Sequence, residues 1–427
     1  MSAQRWRTWA RTESTFVRRI HRPSSVDEVA ALLHATTGRL TLVGSGHSWS
    51  PVARPDHEAL SLERCNRVLD ADADSVTVQA GIRLRDLNAE LARRGLSLPV
   101  LGTTAQQTVA GATATGTHGT GVGFGGLSTL IRSLELVTAD GETLRVSDSE
   151  NAEFLPAARA SLGLLGVVTQ VTLACEPAFN LHVVERPTRL DAVLADLERL
   201  LAANEHFKFW WWPHTQAVRA WEYNRTSVSD VTGRLSRLAQ EYPAFIVPAW
   251  PGLLLGRAVP SAIPRLVRIH AERFNRRREH VDRSDHGFIF PVPIRHFEME
   301  YAVPLEAAPE AVEGVRDLIE RERLLVDFVL EVRFAAADDV WLSPAYGRDT
   351  CYVGALVYRP ESVAPYYAAV EGLMRSLGGR PHLGKMHAAT PEQVEQAYPR
   401  LRDFRELRRI LDPARRFGNA YLDRLVG

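Results

Sequence analysis

At 427 residues the chain is too long for one compact core, so two domains of ordinary size are expected. Lysine plus arginine equals aspartate plus glutamate at 51 each, so no whole-chain field draws it to nucleic acid or an anionic membrane. Cys65, Cys175 and Cys351 are too few and too scattered for a disulfide framework or a cysteine-based zinc site, which suits a reducing cytoplasm.

The N-terminus through Thr15 lacks an apolar run with a cleavage site and does not read as a secretory signal. Ser25 and Glu28 form a capping box, Val26 to His34 supplies an apolar helical face, and Gly38 closes the helix. A strand from Leu40 to Val43 then enters the loop Gly44-Ser45-Gly46-His47-Ser48-Trp49-Ser50. Further on, a strand at Val76–Ala80 precedes an amphipathic helix from Leu84 to Arg94. The stretch from Gly102 to Gly126 is so rich in glycine and threonine that it reads as a long backbone-exposing loop rather than a helix. Strands follow at Ser133–Thr138 and Leu144–Val146, then a small helix near Glu153–Ser161 and a strand at Val167–Leu173.

Beyond Pro177 the pattern predicts a helix from Leu190 to Ala203 and strands at 207–212, 218–223, 297–302, 329–334 and 352–358. With helices at 309–322 and 363–377, this half reads as α+β, helices over a largely antiparallel sheet. The apolar stretch Pro243–Gly256 holds three prolines and is too short to span a bilayer; a core segment, a weak interfacial membrane contact and a dimer surface stay open for it. Four arginines between Arg273 and Arg278 read as a solvated helix face, without the aromatic platform that nucleic-acid binding needs.

Two glycines and two serines in the first loop offer backbone and hydroxyl donors to an anionic group such as a pyrophosphate. The loop is not a Rossmann fingerprint, because Trp49 stands where a third glycine belongs. The literal match at Gly121, Gly123 and Gly126 is followed by strand-like sequence and is discounted. A histidine inside such a loop, His47, can add to an activated flavin ring through a neutral nitrogen, although a plain turn role is also open. The threonine–glycine stretch would supply the second wall of a dinucleotide site. In VLEVRF, Glu331 and Arg333 share one strand face while Val332 and Phe334 take the other. That pair suits hydroxyl binding and charge stabilisation, or a cross-strand salt bridge. Lys385, flanked by His382 and His387, forms a second polar cluster. No HExxH, CxxC or GxSxG motif occurs, and no metal is expected.

Taken together, VGSGHSWS (43–50), the 95–121 stretch, AARASLGLLGVVTQVTL (157–173), FKFWWWPHT (207–215), EVRF (331–334), GGRPHLGKMH (378–387) and LDPARRFGNAYLDRL (411–425) resemble the vanillyl-alcohol-oxidase flavoproteins, and within them the aldonolactone oxidases. The resemblance implies a two-subdomain FAD domain over residues 1–177, with 400–427 packing back on it, and a cap domain over 178–399. It implies FAD bonded covalently to His47, with Gly44, Ser45, Gly46, Ser48, Gly102, Thr103, Gly111, Thr113, Gly116, His118 and Val168 in the FAD loops. Glu331, Arg333 and Lys385 fall on the substrate side: Arg333 to stabilise negative charge, Glu331 to orient hydroxyls, Lys385 to assist. A sugar-derived lactone would be oxidised at C2 with O2 as acceptor, because Gly102 stands where dehydrogenases of this type carry alanine. Alditol oxidation and a non-oxygen acceptor are the alternatives. Two departures bear on substrate choice: Leu383 replaces the tryptophan of HWxK, and Gly354 replaces a polar residue.

Overall fold

The computed structural model describes residues 3–36, 38–233, 247–290 and 293–427. The N-terminal part holds two sheets. Arg19–His21, Glu58–Leu60 and Leu40–Leu42 pair in parallel, and the helix Val26–Ala35 follows the first of these strands. Ser25 accepts the Glu28 amide, but the Glu28 carboxylate reaches Ser24 instead, so the capping box closes one residue earlier than expected. An antiparallel sheet runs in the order Thr143–Ser147, Ile131–Val137, Val167–Ala174, Ser75–Gln79, Val68–Ala71.

The C-terminal segment returns to this part. Leu40 donates to the Arg416 carbonyl at 2.8 Å, Gly418 donates to the Leu40 carbonyl at 3.1 Å, and the Asn419 amide reaches the carbonyls of Pro51, Val52 and Arg54.

An eight-stranded antiparallel sheet dominates the rest, ordered Arg278–Arg283, Asn180–Arg189, Ala217–Thr226, His206–Trp211, Leu330–Ala335, Thr350–Val357, Phe297–Pro304, Arg380–Pro381. One face is apolar: Val332, Phe334, Val353 and Ala355 pack with Val312, Val315 and Val370 of the helices Ala308–Arg321 and Pro360–Ser376. The alternation of the strands therefore aims Glu331, Arg333, Glu298 and Glu300 at the opposite face.

Several elements differ from the sequence reading. Val109–Ala114 is a short helix inside the glycine–threonine stretch, because Thr108 caps it by accepting the Gly111 amide at 3.2 Å. The Leu190–Ala203 helix is broken at Asp196, which leaves helical geometry at φ −116° and ψ 16°. The 153–161 helix shrinks to Leu155–Ala158. The arginine run does not form one helix face; it leaves the helix Ile263–Phe274 and enters the edge strand Arg278–Arg283. Of the apolar stretch 243–256, residues 243–246 lie outside the described residues, and Val247–Ala258 is a helix with Pro251 inside it. Among the described residues no helix is long and apolar enough to cross a membrane.

Candidate active site

Two cavities meet at His47. The first is a cleft of about 910 Å³ between the first glycine loop and the Val109–Ala114 helix, with Val168 on a further wall. Glycine is required where these walls approach. A Cβ on Gly44 would lie 2.7 Å from the Thr108 hydroxyl and 3.7 Å from the Gly111 Cα, and Gly46 adopts φ +71°. The Ser45 hydroxyl is buried and makes no hydrogen bond, an acceptor and donor left for a bound group. Gly44, Ser45, Gly46, His47, Ser48, Gly111 and Val168 line this cleft as the sequence reading places them. Thr113 and Gly116 line neither cavity: the Thr113 hydroxyl turns back to the Val109 carbonyl at 3.0 Å, and Gly116 faces Pro344.

The second cavity, of about 1650 Å³, shares His47, Ser48, Gln107 and Thr115 with the first and opens onto the charged face of the large sheet. Gly102, Thr103, His118, Glu331, Arg333 and Lys385 line it. Gly354 stands opposite both Glu331 and Glu300 in the register of the Thr350–Val357 strand. Arg333 reaches across this strand to Glu300 at 2.6 Å.

Six charges, all buried but the half-buried Lys385, balance three against three. Lys208 pairs with Glu331 at 3.1 Å, Arg333 with Glu300 at 2.6 Å, and Lys385 with Glu298 at 2.5 Å. Glu331 and Arg333 themselves are 3.8 Å apart, an ion pair without a hydrogen bond. Burial by itself would raise the Glu331 carboxyl, but Arg333 and Lys208 outweigh it and bring the pKa down to about 2. Glu300 and Glu298 are likewise lowered against the effect of burial, Glu300 chiefly by Arg333 and Glu298 chiefly by Lys385. The Arg333 guanidinium is raised despite its burial by Glu300, Glu331 and Glu298. Aromatic rings fix the ammonium groups: Lys208 lies 5.0 Å from the Trp221 ring centre and Lys385 4.1 Å from that of Trp49.

His47 is held neutral, its pKa lowered to about 4 by burial and then by the positive charges of Arg83 and Lys385. Trp9 stacks on it with ring centres 5.9 Å apart. Its loop is tied to the Lys385 loop, since Trp49 donates to the Gly384 carbonyl at 2.8 Å and Ser50 to the Leu383 carbonyl at 2.6 Å. Leu383 itself points into an apolar cluster with Val52 and Tyr398 and does not line the charged cavity.

Sequence reasoning missed Lys208, Glu298 and Glu300. The alternation in EMEYAVP repeats the Glu331/Arg333 pattern and carried the signal for the two glutamates. Lys208 is the one cation in the apolar run FKFWWW.

The model of an FAD-binding domain family matches residues 17–147, and that of D-arabinono-1,4-lactone oxidase matches 171–425. L-gulonolactone oxidase of Scyliorhinus torazame is 35% identical, over 97% of each chain. An L-gulono-1,4-lactone dehydrogenase of Mycobacterium tuberculosis is 38% identical over 99% of each, and an alditol oxidase of a Streptomyces species is 32% identical over 98% of each. The crystal structure of cholesterol oxidase from Brevibacterium sterolicum superposes with a TM-score of 0.82 at 16% identity, covering 100% of this chain and 97% of its own, a likeness of fold.

Proposed function

The chain belongs to the D-arabinono-1,4-lactone oxidase family, and from that premise we propose that it oxidises the C2 hydroxyl of an aldono-1,4-lactone and reduces O2 to hydrogen peroxide. The observation that carries this reading is the junction of the glycine-walled cleft with the charged cavity at His47.

FAD, when bound, supplies the two-electron acceptor. The cleft walls suit its phosphates and ribityl chain: two glycine-bearing segments in close approach and an unpartnered Ser45 hydroxyl. His47 is the proposed covalent attachment point. A neutral imidazole keeps the lone pair that such a bond needs, and burial favours that state. Residues 1–177 with 400–427 then form the cofactor-binding domain, and 178–399 the cap domain that carries the charged sheet face.

In the charged cavity Arg333 and Lys385 face the place where negative charge develops on a substrate oxygen as its proton leaves. Both are ion-paired within the protein, so their positions are set before substrate arrives. Glu331, anionic and anchored by Lys208, accepts hydrogen bonds from sugar hydroxyls and orients them. Apolar and aromatic residues such as Trp210, Phe290 and Phe328 complete the wall and limit access of water.

A second reading, a dehydrogenase passing electrons to a non-oxygen acceptor, is favoured by the Mycobacterium tuberculosis relative. Gly102 favours the oxidase, since it lines the charged cavity with no side chain to cover an approach for O2. The free thiols Cys65, Cys175 and Cys351, all buried, fit a cytoplasmic protein. The test is a peroxide assay of the purified yellow protein against aldonolactones and alditols, with an artificial dye in parallel. Peroxide from lactones supports the proposal, peroxide from alditols alone moves the substrate, and dye reduction without peroxide moves the acceptor.

A further inference from the structure

The helix Val247–Ala258 is apolar on both sides. Toward the protein, Leu253 and Gly256 are buried, and a Cβ on Gly256 would lie 3.0 Å from Ile263 Cγ1 of the helix Ile263–Phe274. On the other side Trp250, Leu254 and Leu255 are 37%, 55% and 48% exposed, and Pro251 and Ala258 are exposed with them. At about 100° per residue these five positions share one side of the helix, with Arg257 at its border. Nine large apolar side chains are exposed among the described residues, and five of them, these three with Val259 and Ile269, fall within residues 250–269. Single exposed apolar residues are ordinary, but a cluster of this kind marks a surface with an apolar partner.

Charge around this face selects the partner. Between residues 257 and 277 stand six arginines, Arg257, Arg265, Arg268, Arg273, Arg276 and Arg277, against one carboxylate, Glu272, in a chain whose net charge is zero. All six are exposed, and within the described residues only Arg277 among them is ion-paired, with Glu279 at 2.6 Å. A second copy of the chain would set these arginines against their own like charges, so the surface does not suit self-association. An anionic lipid bilayer meets both requirements, since its phosphates pair with guanidinium groups and its acyl region takes the apolar side. A helix of 12 residues is about 18 Å long, short of the roughly 30 Å hydrocarbon core, so it lies along the interface rather than across it.

We infer that Val247–Ala258 docks the protein on an anionic membrane surface, its apolar side at the level of the acyl chains and the arginines of 257–277 at the phosphates. The exposed side is already presented outward, so docking needs no rearrangement of the helix. None of these side chains lines either cavity at His47, which makes docking separable from catalysis.

The experiment sediments the full FAD-loaded chain with sucrose-loaded vesicles, either phosphatidylcholine alone or phosphatidylcholine and phosphatidylglycerol in equal parts. Wild type is compared with Leu254→Ser/Leu255→Ser and with Arg265→Gln/Arg268→Gln. Wild type is expected to bind the mixed vesicles, to come off as salt rises, and to stay in solution with phosphatidylcholine alone. Each double variant is expected to bind at least about tenfold more weakly, with an unchanged thermal midpoint and unchanged turnover in lipid-free buffer. A wild type that stays in solution with the mixed vesicles overturns the inference, as does binding that both double variants keep at the wild-type strength. A dimer in light scattering that Leu254→Ser/Leu255→Ser dissociates, without vesicle binding, also overturns it and gives this face to a second copy. Vesicle binding is read without substrate, so the outcome does not depend on the lactone reading.

Discussion

Lys208 is the sharpest probe of the charged cavity, because it touches only the protein's own groups. Its ammonium pairs with Glu331 at 3.1 Å and is buried between the Trp210 and Trp221 rings. Lys208→Met keeps the aliphatic stem and removes the charge, leaving the Glu331 carboxylate with Arg333 at 3.8 Å. Breaking a buried pair from one side costs about 3 kcal/mol or more. The lowered Glu331 carboxyl gives an upper bound of the same order, since Arg333 carries the larger share of it. The displacement from 4.5 to about 2 corresponds to roughly 3 kcal/mol of stability, shared between Arg333 and Lys208. For a chain of 427 residues unfolding as a unit, that loss lowers the thermal midpoint by about 3 °C.

The pH dependence follows from the sign of the shift. A carboxyl lowered in the folded state stabilises fully above its ordinary value and loses that contribution as pH falls toward about 2. Without Lys208 the folded-state value lies higher and the loss is complete at higher pH, so the gap between variant and wild type narrows in acid. Scanning calorimetry of Lys208→Met, Glu331→Gln and the double variant between neutral and acid pH measures this. A double variant as stable as the sum of the single losses, with no coupling, refutes the ion-pair argument.

Gly44→Ala places a Cβ 2.7 Å from the Thr108 hydroxyl, so the capped helix must shift; about 1–3 kcal/mol of stability and much of the bound FAD are expected to be lost, read by calorimetry and by flavin absorbance after gel filtration. Gly102→Ala sets a methyl group 3.2 Å from Thr117 Cγ2 and 3.3 Å from the His118 carbonyl; slower reoxidation by O2 with an unchanged rate toward an artificial dye is expected in stopped-flow traces. Gly81→Ala drives a Cβ to 1.9 Å from the Leu62 carbonyl oxygen, a backbone clash expected to leave the chain insoluble on expression.

Much of this architecture was legible where hydrophobic periodicity is plain. The strand carrying Glu331 and Arg333 declares its two faces in six letters, and the structure buries Val332 and Phe334 on the helix side as read. The helix at Val109 was hidden because its sequence, VAGATA, has neither length nor strong propensity; the Thr108 cap and its packing against Gly44 decide it. The ten-residue strand Asn180–Arg189 went unread since its alternation fails at Val183-Val184 and it contains Pro187. In the site, the partners of Arg333 were out of reach for a different reason. Glu300 lies two strands away in space and 33 positions away in sequence, and only the register through Gly354 brings it near. Likewise His118 reads as a loop residue of the cofactor cleft until the loop is seen to bond with the large sheet, where Gly121 donates to the Phe334 carbonyl at 2.8 Å.

The most direct test of the central claim is acid precipitation of the purified protein beside its His47→Ala variant, followed by flavin absorbance of pellet and supernatant. The yellow chromophore is expected in the wild-type pellet and in the variant's supernatant. Colour released from both, or retained by both, would contradict His47 as the point where this chain grips its cofactor.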